Sequence, residues 1–256
     1  MKLFLIILIF SVITQMIKSR TVSNGKNFPV EYSLSMPDPS SHFFHVKIEI
    51  SIVTAQNKFF ELKMPAWRSG RYFIFDFSGG VQEFTAENEK GKQLKWEKTD
   101  KATWQIQKNG NSIIVKYKVF ANDFLSRTRG LDSEHGFINN LAVFMFAPKF
   151  YKKPLILKVE PYENWHVTTG LENYNNEPNT FYAPDYDYFA DCPLEIGTQA
   201  DFDFEVRGIK HTISFFGEVK YDKQRLIKDF TTIIEKNFEF WGSVPYKHYT
   251  FIVHCT

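Results

Sequence analysis

The side chains with chemistry to offer are few and scattered. His42 and His45 form an H-x-x-H, Glu134-His135 sets a carboxylate beside an imidazole, and His248 and His254 share one face of a late β-rich run. In an extended segment a separation of three residues sends two side chains to opposite faces, so His42 and His45 read as surface and edge residues rather than metal ligands. Glu134-His135 reads as a loop anchor, and His248 and His254, without downstream partners, say nothing about a metal. Arg127 and Arg129 carry forked donors suited to a carboxylate, with a solvated loop or an interdomain ion pair as the simpler account. Cys192 and Cys255 are too few for a disulfide scaffold and read as small buried thiols, a bridge between them staying open. Tyr182, Tyr186, Tyr188 and Phe189 offer either a sugar-stacking platform or the seal of a domain interface.

Composition limits what these groups can serve. With 31 basic and 29 acidic residues the formal charge is +2, which gives no electrostatic case for nucleic acid. The 256 residues are 43% hydrophobic and 17% aromatic, enough for one large core or two smaller ones. Lys2 followed by the apolar run Leu3–Phe10 reads as an export signal over residues 1–19, which places the protein in the periplasm or outside the cell. An uncleaved form of that segment is the one route to a membrane, and oligomeric state is not legible.

The elements that must position the scattered groups are mostly strands. Val30–Leu34, His45–Val53, Phe59–Met64, Arg71–Phe77, Phe84–Glu89 and Leu94–Lys98 alternate or are bounded by turn residues. Lys90-Gly91-Lys92 closes one expected hairpin. Asn109-Gly110 predicts another, between Trp104–Gln107 and Ile113–Phe120. Ala121–Phe137 reads as an excursion away from the sheet, after which Leu141–Phe146, Leu155–Val159 and Trp165–Thr168 resume as strands. Asn173–Asn179 is a polar loop, and Ala183–Gly197 is too irregular to be a strand throughout. Phe202, Phe204 and Val206 alternate with charged residues, and His211–Phe216 pairs back after Gly208. Asp222 then caps an amphipathic helix carrying Leu226, Ile227, Phe230, Ile233, Ile234, Phe238 and Trp241, with Gly242 as its stop. Tyr249–His254 follows as a strand without an evident partner, so Thr256 reads as a truncation point.

Four blocks in order carry a resemblance: Met64–Phe77 (MPAWRSGRYFIFDF), Lys98–Trp104 (KTDKATW), Leu131–Phe137 (LDSEHGF) and Asp191–Gly197 (DCPLEIG). Together they resemble the N-terminal region of the glycyl aminopeptidase family of zinc metallopeptidases, over about Tyr32 to Thr256. The resemblance implies a mainly β fold: an antiparallel sandwich or saddle-like N-terminal domain over 20–217, then the first helix and strand of a truncated α/β thermolysin-like catalytic domain over 218–256. It also implies a zinc-bearing full-length parent that hydrolyses peptides near a free amino terminus. This chain has no H-E-x-x-H, so no cofactor, metal ligand or catalytic residue is assigned to it, and it is expected to be inactive alone, its peptide substrate meeting the missing catalytic part. A protonated α-amine needs a carboxylate, and Asp191 and Glu195 are the expected substrate-binding residues. The competing account is a secreted, non-catalytic β-sandwich module that binds peptide or glycan.

Overall fold

The computed structural model describes residues 28–51, 57–68, 72–124, 128–218 and 220–255. The export signal, Ser69 and Gly70 of an expected Arg68-Ser69-Gly70 turn, Arg71 at the start of the expected Arg71–Phe77 strand, and Arg127 lie outside these residues. The strands run in order as β1 (Val30–Ser35), β2 (Phe43–Ser51), β3 (Phe59–Lys63), β4 (Val81–Asn88), β5 (Trp96–Lys98) and β6 (Thr103–Gln107). They continue as β7 (Ser112–Phe120), β8 (Asn122–Asp123), β9 (Arg129–Leu131), β10 (His135–Ile138), β11 (Leu155–Glu160) and β12 (His166–Thr169). After β13 (Glu172–Asn173) and β14 (Thr180–Ala183) comes a short helix α1 (Tyr186–Ala190), then β15 (Leu194–Gly197), β16 (Ala200–Val206) and β17 (Ile209–Phe216). Helix α2 (Lys223–Trp241) and β18 (His248–His254) complete the order.

Alternation decides how these strands stack. Val46, Ile48 and Ile50 of β2 face Leu34, Tyr32 and Val30 of β1 in antiparallel register, and all six are buried. Each such side chain contributes about 1.5–3 kcal/mol on burial. β1 also pairs in parallel with β11, which puts it near the middle of a seven-stranded sheet ordered β13-β14-β11-β1-β2-β7-β4. A five-stranded sheet (β12-β15-β10-β9-β8) and a three-stranded one (β3-β6-β5) share its core. The mainly β, sandwich-like class read from the sequence is what the chain adopts.

Several local expectations are corrected by where the hydrogen bonds go. Tyr72–Asp76 form no strand: Phe75 N–H donates to Ala66 O at 2.8 Å, and Phe75 stacks on Phe77 and meets Phe73 edge-on instead of lining a sheet face. The Asn109-Gly110 turn does not join a hairpin. β6 pairs with β3 and β5, while β7 pairs with β2 and β4, so the turn passes the chain between sheets. Its anchors come from the neighbouring loop: Asn88 Nδ2 donates to Asn109 O at 2.8 Å, and Glu89 Oε2 accepts from Asn111 and Ser112 N–H. Likewise the Lys90-Gly91-Lys92 turn brings Gln93 and Leu94 back to β4 only briefly, before β5 leaves for β6. The region after Ala121 is not an excursion, since β8, β9 and β10 build most of the five-stranded sheet.

Leu141–Phe146 also fails to become a strand, for an instructive reason. Ala142, Val143, Phe144 and Met145 have no exposed surface at all, so their backbone groups need partners without a ladder. The N–H groups of Ala142, Val143 and Phe144 donate to Asn139 O and Asn140 O, and three tyrosines supply further partners. Tyr117 OH donates to Val143 O and accepts from Met145 N–H, Tyr32 OH donates to Met145 O at 2.7 Å, and Tyr186 OH donates to Phe144 O at 2.6 Å. Burial drives all three phenols well above the ordinary tyrosine value.

A second, smaller core begins after β15. Phe202, Ile213 and Phe215 pack with Leu226, Ile227 and Phe230 of α2 and with Phe251 of β18. Asp222 caps α2 by accepting from Gln224 and Arg225 N–H, and Gly242 closes it with φ +75°, as the sequence reading had it. Tyr249–His254 does have a partner: β18 pairs in parallel with β17 in the sheet β16-β17-β18. The expected boundary at residue 217 therefore falls inside a sheet, and the change of core falls between β15 and β16.

Candidate functional site

The two cores meet along a polar seam, and the seam is where the chemistry-bearing residues gather. β15 lies between β12 and β10, with Thr168, Glu195 and Phe137 side by side in register and His166, Gly197 and His135 beside them two residues along. Side chains two apart share a face, so His135 and Glu195 point the same way. Gly197 makes their meeting feasible, because a Cβ there would stand 2.9 Å from the Cβ of His135. On the other side of the seam, β17 and β18 present Phe216 and His254 in register.

Glu195 is fully buried, and each of its oxygens is held by an imidazole. His135 Nδ1 lies 2.7 Å from Oε1 and His254 Nε2 lies 2.7 Å from Oε2. A neutral histidine has one ring N–H, so these contacts set the tautomers: His135 protonated at Nδ1, His254 at Nε2. The His135 ring is stacked between Phe124 and Phe216, and Phe137 meets His254 edge-on at 5.1 Å. Among the described residues these two histidines are the side-chain partners of the Glu195 carboxylate. A buried carboxylate is tolerated only when its oxygens are satisfied, and here they are. The separations are hydrogen-bond lengths.

The rest of the seam is polar in the same manner. His166 Nε2 and Thr168 Oγ1 both reach the Asp201 carboxylate, Gln199 Nε2 donates to Thr168 Oγ1 at 2.9 Å, His248 Nε2–H donates to Gly170 O at 2.8 Å, and Thr250 Oγ1 donates to Thr169 O. Gly217, at φ +97°, lets the chain turn where the carbonyl of Cys255 would otherwise meet a side chain. The segment before Glu195 is fastened by Asn140, whose Nδ2 donates to Phe189 O at 2.7 Å and Cys192 O at 2.8 Å.

The expected site residues are thus separated by environment. Asp191 is exposed, at the C-terminal end of α1. The expectation that Glu195 meets a substrate amine directly gives way, since its carboxylate has no exposed surface and both oxygens are taken. Arg129 grips no substrate-like surface: its Nε donates to Phe120 O at 2.8 Å, its guanidinium lies over Phe77, and burial pulls it down to about 10. The sugar platform is not built, because Tyr186 and Phe189 are core residues. His42 and His45 do not converge; the ring of His42 bonds Leu131 O while His45 lies beside Lys118. Cys192 and Cys255 are free thiols, and burial pushes Cys192 up to about 12. Sequence reading missed the convergence of His135 and His254 on Glu195. The signal available was only that the three fall on the seam faces of their strands.

Comparison with known proteins bears on this arrangement. Residues 31–198 match the family described as Peptidase M61 N-terminal domain. The structure is similar to an aminopeptidase N family protein from Idiomarina loihiensis, at 28% identity and a TM-score of 0.81, over 88% of this chain and 39% of that one. It also shares its fold with an M1 zinc metallopeptidase from Deinococcus radiodurans at 10% identity, with a TM-score of 0.52, over 87% of this chain and 55% of that one. No curated protein sequence gives a match. The chain thus spans well under two thirds of the solved proteins it resembles.

Proposed function

The chain belongs to the family of peptidase M61 N-terminal domains, and from that membership we propose that it is the amino-terminal part of an exported zinc metallopeptidase that cleaves peptides next to a free amino terminus. The observation that carries the reading is continuity. The likeness to the Idiomarina protein covers 88% of this chain, more than residues 31–198 account for, so it is not confined to the family domain. The sequence holds no H-E-x-x-H, so no residue is assigned to a catalytic metal and no hydrolytic step is routed through this chain. Its own part is architectural and electrostatic. Asp191, exposed beside the strand that carries Glu195, is the carboxylate offered to a substrate ammonium by a charge-assisted hydrogen bond. Glu195 acts behind it as a positioning residue that fixes β18 against β10 and β15. Membrane association would come through residues 1–19 alone.

The test is to sequence the encoding gene for a few hundred bases past the codon for Thr256. An open frame with Gly-Gly-x-Glu-His followed by H-E-x-x-H is expected. A stop codon at that point removes the peptidase reading.

A further inference from the structure

We propose that His135, Glu195 and His254 form a binding site for a divalent transition ion of the zinc class. Their donor atoms, from three strands, all lie within 4.8 Å of one another. An ion held there would be shielded from bulk water by a collar of Phe124, Phe137 and Phe216 around the two rings. Two imidazole nitrogens and one carboxylate suit zinc, cobalt, nickel or copper far better than magnesium or calcium.

The donor atoms must regroup. Metal–ligand bonds of about 2.0–2.2 Å set neighbouring ligand atoms about 3.2–3.5 Å apart in a tetrahedral site. The two N···O contacts of 2.7 Å therefore open by about half an ångström or slightly more, while the widest separation, up to 4.8 Å, closes by as much as about 1.3–1.6 Å. His254 is the ring free to yield, since a fifth of its side chain is exposed while Glu195 is closed off, and the same opening supplies the entry path and a place for water in the fourth position. The protons balance: each neutral imidazole gives up its N–H at the metal side and takes a proton from solvent on its other nitrogen, Glu195 stays ionised, and no net proton is released. An ion so held ties β10 and β15 of the first core to β18 of the second.

The test uses the tag-free 256-residue chain stripped with chelator, titrated with Zn²⁺ by calorimetry and with Co²⁺ by visible absorption. One equivalent is expected, without a thiolate-to-cobalt band. Glu195→Gln and His254→Gln should each weaken it more than about 100-fold, beyond what loss of an outer partner does, while His248→Gln and Cys255→Ser leave it unchanged. Circular dichroism checks folding, and if Glu195→Gln does not fold, His254→Gln decides. The proposal is overturned by the lack of a saturable equivalent, by an equivalent that survives loss of His254, or by a thiolate band that disappears with Cys255→Ser.

Discussion

Replacing Glu195 by Gln in the chelator-treated protein should loosen the seam before it loosens the first core. The carboxylate accepts two charge-assisted hydrogen bonds, one from the buried His135 and one from the part-buried His254, each worth about 1.5–3 kcal/mol. Glutamine keeps the shape but turns an NH₂ toward one of the rings, which must change tautomer to accept from it. Two charge-assisted bonds become two neutral ones of about 0.5–1.5 kcal/mol each, and the change is partly offset because a buried charge is gone. The net expectation is a loss of about 2 kcal/mol, whereas Glu195→Ala, which orphans both rings, should cost about 3–5 kcal/mol. Hydrogen exchange by mass spectrometry gives the regional readout: amides of β18 should lose protection while those of β1 and β2 hold theirs. A Glu195→Gln protein as stable as the parent, or a rise in exchange spread evenly over both cores, would refute the reasoning.

Other outcomes follow from the same geometry. Asp222→Ala removes the acceptor for Gln224 and Arg225 N–H and should cost about 1 kcal/mol, seen as earlier urea unfolding of α2. Arg129→Lys gives up the forked contacts to Phe120 O and Phe77 O in a half-buried setting and should lower stability by about 1.5–3 kcal/mol, measured in the same denaturant series. Cys192 stays a thiol until about 12, so at pH 8 a disulfide reagent should modify it far more slowly in the native protein than in guanidinium. Tyr32, Tyr117 and Tyr186 are raised in the folded state. The stability they contribute is whole below the unfolded value near 10 and is lost as pH climbs above it, because the unfolded chain then releases protons first. A spectrophotometric titration should show these phenols ionising only with alkaline unfolding.

Alternation was the most legible part of the sequence. Val46, Ile48 and Ile50, the pair β16/β17 and the caps of α2 are local signals, and each survives in the fold. What local pattern could not carry was the choice of partner. Asn109-Gly110 is a hairpin signal whose flanking strands bond elsewhere, and Leu141–Phe146 has strand composition but is served by tyrosine hydroxyls brought from β1, β7 and α1. The candidate site was half legible. Glu195 was singled out for its charge, but its burial and its two imidazole partners depend on strand order, on Gly197 and on the docking of β18. The four sequence blocks pointed to the family, and residues 31–198 match it.

The place of β1 has a consequence for how the protein is made. Val30 pairs with Leu155, so one edge of this early strand waits for a partner translated roughly 125 residues later. At 5–20 residues per second that interval is about 6–25 s, during which β1 and β2 can zip together but leave an apolar edge uncovered. Nascent chains stalled on ribosomes before β11 emerges should therefore recruit holdase chaperones or stick to one another, and chains stalled past β14 should not.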